Sequence, residues 1–522
     1  KNELIFRYQE TLENQKGFLP IDSSDLAASP NSRYLGSKPR LYTKYRYKYS
    51  NKISAGITAE KDAGEEFFQG SQPKGFDFYS AHLYVRNFGF LKQLAIGDYQ
   101  VQIGQGLNFW SGLAFGKSAD VINIKKSGQV ILPYTSVDEN LFMRGGAVTL
   151  GIKNFEATGF YSKKKIDANI SITDTIKDEV LEVTSFQQTG YHSTPAEIQD
   201  KDAIDEMIIG GHFAYKSRGM NLGFTASQSA YSALLNRSLQ TYSQFEFSNN
   251  KNINIGADYN FIYRNINFFG EFAGSKNGGM AYLNGAVISL DPRLSVSILQ
   301  RNYERGFQNL FSNALGEGSK NTNEKGWYFG AASSINSKWA VSGYFDVFTF
   351  PWLRYNTDAP SFGHEWLAQL TFAPSKKLEL YARWRKEVKQ ENNPGNDPGI
   401  DYTVDRVRQY LRFHAAYKLS KEFSMKSRLE LSEYSIGGYS PENGYLIYQD
   451  VIYTMSKLPL TVSLRFALFD TESYNAGIYA YENDVLYAYS IPAYYYRGAR
   501  TYLMLNYMIY KGFEIWLRYS QT

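Results

Sequence analysis

Apolar and polar side chains alternate strictly, two by two, from one end of this chain to the other. That period constrains the fold more than any other feature. From Arg40 to Tyr49, Leu41, Thr43, Tyr45, Tyr47 and Tyr49 share one face, while Arg40, Tyr42, Lys44, Arg46 and Lys48 share the other. Leu378, Leu380, Ala382 and Trp384 alternate with Glu379, Tyr381, Arg383 and Arg385. Leu460, Val462, Leu464, Phe466 and Leu468 alternate with Thr461, Ser463, Arg465 and Ala467. Such segments are roughly twice the ~5–6 residues of a typical globular strand, and ~9–11 residues suffice for a tilted strand to cross a bilayer.

The charged face sets which side is wet. Lys44, Arg46, Arg383, Arg385, Lys426 and Arg428 could not fill a dry core, because an unpaired buried charge is too costly. Water inside and lipid outside accommodate both faces. The expected fold is therefore all-β, a large antiparallel transmembrane barrel. Composition agrees: 43 Tyr, 35 Phe and 7 Trp make the chain 16% aromatic, yet its mean hydropathy is −0.41. No apolar run approaches the ~18 residues of a transmembrane helix, and the aromatic content excludes a disordered chain. A length of 522 residues would ordinarily suggest ~3 domains, but one uninterrupted pattern predicts a single barrel over 1–522. The net charge of +5 is too small to argue for nucleic acid by itself, and the absence of Cys removes disulfide and thiolate chemistry.

Turn spacing supplies the topology. Very short turns such as Ser50-Asn51, Lys153-Asn154, Arg264-Asn265, Ser375-Lys376 and Lys511-Gly512 alternate with long polar segments such as 165–203, 232–250, 304–324, 389–403 and 471–496. Short turns on the periplasmic side and long loops outside are the outer-membrane pattern. Leu239–Phe247 looks like a strand but breaks this parity, so it is assigned to an outer loop. The count then comes to roughly 23, whereas single-chain bacterial barrels use even numbers. We therefore expect about 24 strands, with 22–26 allowed, a closing C-terminal strand missing, and a start in mid-protein or after processing.

Residues 102–138 separate two strands without being polar throughout. Gly104, Gly106, Phe109, Trp110 and Phe115 mark an insert that should be buried, folded into the lumen as a plug or packed over its mouth. Gly112 to Ser118 imitates a phosphate-binding loop, but the spacing requires Gly at the position of Ser111. The five His (82, 192, 212, 364 and 414) are not at metal-ligand spacing, and no nucleophile signature is present. Neither an enzyme nor a cofactor is expected. His82 and His414 fall on predicted lumen faces. The segment 154–203 begins with a strand and then carries Lys163, Lys164, Lys165, Asp167, Asp174, Asp178 and Glu179; it reads as a solvated surface loop, with a ligand-binding or lid loop as the alternative.

The candidate lumen-lining residues are Lys44, Arg46, Arg383, Arg385, Arg412, Lys426, Arg428 and Arg465. Two readings stand: an anion-attracting passage, or a mixed-charge wall around a hydrated interior. Tyr47, Tyr49, Phe88, Phe90, Tyr417, Tyr453, Tyr507 and Tyr510 lie near strand ends, where interfacial girdles belong.

Several strings carry a resemblance: Arg7-Tyr8-Gln9-Glu10-Thr11-Leu12, Glu60-Lys61-Asp62-Ala63-Gly64-Glu65, Gly97-Asp98-Tyr99-Gln100, Gly104-Gln105-Gly106-Leu107, Phe115-Gly116-Lys117-Ser118, Pro133-Tyr134-Thr135-Ser136 and Phe350-Pro351-Trp352-Leu353-Arg354-Tyr355. Together they resemble the barrel region of an uncharacterised outer-membrane family of Bacteroidota, the helix-hairpin-helix domain-containing proteins. In that family a segment similar to DNA-uptake receptors precedes the barrel; no such segment is visible here. The functions expected are, in order, outer-membrane transport of polar or anionic substrate, a structural or interaction role in a larger export or assembly complex, and DNA uptake. The partners expected are the lipid bilayer, other outer-membrane or periplasmic proteins, and, through the resemblance, nucleic acid.

Overall fold

The computed structural model describes residues 1–114, 116–174, 176–177, 179–395 and 401–522; Phe115 and Asp178 lie outside the described residues. One antiparallel sheet of 24 strands dominates. One of these, Val130–Pro133, is short and pairs only with the far end of a longer neighbour. The remaining 23 form the wall, each paired with the next in chain order.

These are β1 (Asn2–Gln9), β2 (Arg40–Tyr49), β3 (Ile53–Lys61), β4 (Phe78–Phe88), β5 (Leu91–Gln102), β6 (Met143–Ile152), β7 (Phe155–Ile166) and β8 (Ile204–Ser217). Next come β9 (Met220–Tyr231), β10 (Lys251–Tyr263), β11 (Ile266–Ser275), β12 (Met280–Asp291), β13 (Leu294–Tyr303), β14 (Glu324–Ser334), β15 (Trp339–Phe350) and β16 (Ser361–Ser375). The last are β17 (Leu378–Asn392), β18 (Thr403–Lys418), β19 (Phe423–Ile436), β20 (Glu442–Thr454), β21 (Leu460–Thr471), β22 (Arg497–Tyr510) and β23 (Phe513–Gln521).

Period two drives this arrangement, because successive side chains point to opposite faces of a strand. On β1 and β2, Leu4, Phe6, Tyr8 and Tyr45 stand exposed on the outside, Leu4 at 72%. Their neighbours Glu3, Arg46 and Lys44 turn inward to pair with one another or with lumen segments. The same outward apolar row recurs on β8 (Ile209, Phe213), β16 (Phe362, Trp366, Leu370) and β23 (Ile515, Leu517). Aromatic pairs flank the short turns: Phe261 with Phe268 at 4.8 Å, Trp339 with Phe372 at 4.4 Å and Tyr510 with Phe513 at 5.5 Å. Amphipathic rings at that height suit a membrane–water boundary. Among the described residues no helix is long and apolar enough to cross a membrane.

Residues 239–247 stay out of the wall and contain only a short 3-10 turn, Thr241–Ser243. The segment after β7 is more ordered than a solvated loop. Ala168–Asp174, Glu179–Phe186 and Leu234–Leu235 form a small separate sheet. Its Ala168, Val183 and Leu235 pack against Ile204, Tyr231 and Phe247.

With every wall pair antiparallel and an odd number of wall strands, β1 and β23 run in the same direction. No pairing between them is present among the described residues. The sheet curls until these edges face one segment of the loop between β21 and β22. Glu482 of that loop binds Arg500 of β22 and Arg518 of β23, while its Tyr487 meets Glu3 of β1 and Arg46 of β2.

Candidate functional site

The lumen is occupied unevenly. After β5 the chain leaves the wall and crosses to the opposite inner face. Gly104 (φ +57) and Gly106 (φ +88) make the entry turn in the left-handed region that favours glycine. A Cβ at Gly104 would stand 2.6 Å from a carboxylate oxygen of Glu271 on β11. That carboxylate accepts N–H bonds from Gln105 (2.5 Å), Leu107 (3.0 Å) and Asn108 (2.7 Å). Successive backbone N–H groups thus cradle a buried anion.

Phe109 then stacks on Phe311 at 4.9 Å, and the Trp110 backbone N–H donates to the Phe311 carbonyl at 2.8 Å. The loop between β13 and β14 therefore meets the insert inside the barrel. Asn309 of that loop donates to the carbonyls of Leu107 (2.8 Å) and Asn108 (2.7 Å).

Further along, Lys117 is held by Asp346 (2.8 Å), Glu365 (2.5 Å) and Glu317. Burial opposes its charge, but the three carboxylates outweigh burial and raise its pKa well above the usual lysine range. Arg301 completes this buried network through Asp346 (2.7 Å) and Glu324 (2.5 Å). The Val121 carbonyl accepts from Ser297 (2.7 Å) and Tyr328 (3.0 Å). The insert is thus fastened to β11 through β16, far from the strand it leaves.

The eight cations singled out in the sequence fall into two groups. Lys44, Arg46 and Arg465 are engaged. Lys44 donates to the Thr135 carbonyl (2.8 Å), Arg46 to Glu3 (2.8 Å), and Arg465 is bidentate on Asp450 (2.5 and 2.7 Å). The other five gather on three adjacent strands, β17 to β19. The register sets Arg383 directly opposite Arg412, and Arg428 opposite His414. Like charges directly opposite destabilise a sheet. Gln369 (2.7 Å to Arg383) and Glu430 (2.9 and 3.0 Å to Arg412) relieve part of that cost. Arg385 pairs with Glu365 at 2.5 Å, and Arg428 pairs with Glu430. Lys426 is exposed to the lumen and has no ion pair among the described residues. His82 also faces inward, bonded to Ser54 at 3.1 Å, and His414 stacks on Tyr381 at 4.8 Å.

Three groups escaped the sequence reading: Glu271, the Lys117 carboxylates, and a cluster around His192. A lone carboxylate among the inner residues of β11, with a Gly-x-Gly elsewhere, was the faint signal for the first. In the outer loops, His192 lies 2.6 Å from Asp77 and 2.9 Å from Asp167, and its backbone N–H donates to Glu65 at 3.1 Å. Burial opposes protonation, but the two aspartates outweigh it and push His192 up to about 10. Glu139 nearby is pushed up to about 9, chiefly by burial. Ligand atoms of Glu65, Asp77 and His192, and of Glu139, Asp167 and His192, lie within 4.8 Å of one another and could hold a metal ion. In the charged form, His192 itself supplies the cation.

No family model matches the chain, and no curated protein matches it. Among solved structures it is similar to OccK5 (OpdH) of Pseudomonas aeruginosa, at 8% identity and a TM-score of 0.30, covering 70% of this chain and 97% of that one. It is similar to outer-membrane OmpT of Vibrio cholerae, at 10% identity and a TM-score of 0.30, covering 72% and 100%. It is also similar to the outer membrane channel DcaP of Acinetobacter baumannii, at 10% identity and a TM-score of 0.31, covering 72% and 97%.

Proposed function

We propose that this chain is a channel of the bacterial outer membrane that passes polar solutes and favours anions. Its outward apolar rows, aromatic pairs at the short-turn end and antiparallel strands of up to 16 residues suit a lipid-embedded barrel. The observation that carries the anion preference is the register of Arg383 opposite Arg412, beside Lys426 and Arg428. A sheet bears cross-strand repulsion of this kind more readily where a passing anion offsets it. Residues 102–138 act as a constriction on the other side of the lumen, latched through Glu271 and Lys117.

Planar-bilayer recording tests this. In a potassium chloride gradient the reversal potential should report chloride preference, and deletion of 106–126 should raise the conductance. Cation preference, or silence from both forms, would overturn the reading.

A further inference from the structure

The cations of β17 to β19 are interleaved with rings. Along the inner face of β17, Tyr381 precedes Arg383 and Arg385; along β18, Arg408, Tyr410, Arg412 and His414 alternate. Same-face neighbours on a strand are ~6.8 Å apart, twice the ~3.4 Å rise per residue. The register extends each pair sideways, with Tyr410 opposite Arg385 and Tyr434 opposite Arg408. Arg408 lies 5.6 Å from the Tyr434 ring centre and Arg383 5.1 Å from that of Tyr381. Buried nitrogens among them have no hydrogen-bond partner among the described residues: Nε of Arg408, Nε of Arg428 and Nδ1 of His414.

The loop between β21 and β22 continues the pattern toward the mouth. Its Ala476 carbonyl accepts from Ser432 at 2.6 Å and its Tyr479 carbonyl from Arg428 at 3.4 Å, so it lies folded against β19. Tyr474 and Tyr479, 57% and 54% exposed, bring their hydroxyls to 3.4 Å of each other beside this wall.

We infer that this strip of alternating guanidinium groups and phenol rings is a binding track for an acidic oligosaccharide. The inference rests on the reading of the barrel as an anion channel and narrows its substrate. An inorganic anion would use the cations but leave the rings without a role. Guanidinium forks match carboxylates, the exposed faces of Tyr474 and Tyr479 suit the apolar faces of pyranose rings, and the Tyr hydroxyls suit sugar hydroxyls. A single-stranded nucleic acid fits less well, because it stacks successive bases along a row of open rings; here Tyr381 is stacked on His414 and Tyr434 is buried, so the open faces are those of Tyr474 and Tyr479 at one end of the strip.

Calorimetric titration of the detergent-solubilised chain tests the track with four probes: trigalacturonate, maltotriose, citrate and a ten-nucleotide single-stranded DNA. Trigalacturonate should bind at least tenfold more tightly than maltotriose or citrate. The double variant Tyr474→Ala/Tyr479→Ala should weaken trigalacturonate at least fivefold and citrate less, and Arg412→Gln should weaken both. Equal affinity for trigalacturonate and citrate, or tighter binding of the DNA, would overturn the inference. Bilayer selectivity reports on the channel separately. Anion-selective current without trigalacturonate preference sinks the track alone, and trigalacturonate preference without current sinks the channel and leaves the track standing.

Discussion

The Tyr487 hydroxyl donates to Glu3 at 3.1 Å, joining residues 484 positions apart. The same ring lies under Lys44 at 4.8 Å and Arg46 at 5.6 Å. Five residues earlier, Glu482 is fully buried and takes Arg500 (2.8 Å), Arg518 and the Tyr494 hydroxyl (2.7 Å). Among the described residues, β1 and β23 are thus tied to one and the same loop segment.

Glu482→Ala should be the most damaging change in that loop. It strands two guanidinium groups, and breaking a buried ion pair from one side costs about 3–5 kcal/mol. Tyr487→Phe removes one hydroxyl and should cost about 1 kcal/mol. Thermal unfolding in detergent, followed by the heat-induced mobility shift on gels, should rank them in that order.

Glu271→Leu should free the start of the insert. Three backbone N–H groups lose their shared acceptor, at about 1–3 kcal/mol for each left buried and unpaired. Single-channel current should rise or become noisy, while the unfolding temperature of the wall changes less than in Glu482→Ala. A steady wild-type current would contradict the latch.

Arg383→Gln should trade selectivity for stability. Removing one of two facing like charges relieves about 0.2–1 kcal/mol, and the reversal potential in a salt gradient should move toward zero. A variant less stable than the parent and equally anion-selective would refute the role assigned to this pair.

The His192 clamp makes the outer loops sensitive to pH in a definite direction. A histidine whose pKa is raised in the folded state contributes fully below its unfolded value, ~6.5, and loses that contribution as pH rises through about 10. Asp77 runs the other way: burial opposes its ionisation, but His192 and Lys201 outweigh burial and hold it below its ordinary value. Its contribution fades as pH falls below ~4. Protection of 166–203 from a broad-range protease, normalised to an unfolded substrate, should be greatest from about pH 4 to 6.5 and decline toward pH 10. His192→Gln should be cleaved readily throughout.

The wall is readable from sequence because alternation is a local property; Leu41 to Tyr49 or Leu460 to Leu468 can be assigned a face without knowing any partner. Strand number followed from turn parity, even where Leu239–Phe247 imitated a strand. What the insert touches was not readable. Glu271 meets Gln105 only because the sheet curls, and nothing near either residue encodes that meeting. Lys117 sits in a string that imitates a phosphate loop, and its carboxylates come from three other segments. The clustering of Arg383, Arg412 and Arg428 depends on the register between strands, which no single strand displays. The small sheet beyond β7 is masked in the sequence by its surrounding charges.

Seen as a hoop under tension, the wall is only as strong as the links between neighbouring strands. Everywhere else neighbouring strands share a continuous ladder, so lateral stress spreads over many bonds at once. Where β1 and β23 of this 522-residue span meet, the described residues offer only a few side chains of one loop to carry the same stress. Single-molecule pulling of this span anchored at those two strands should therefore meet its first yielding event at Glu482 and Tyr487, at a lower force than the same pull applied across two laddered neighbours.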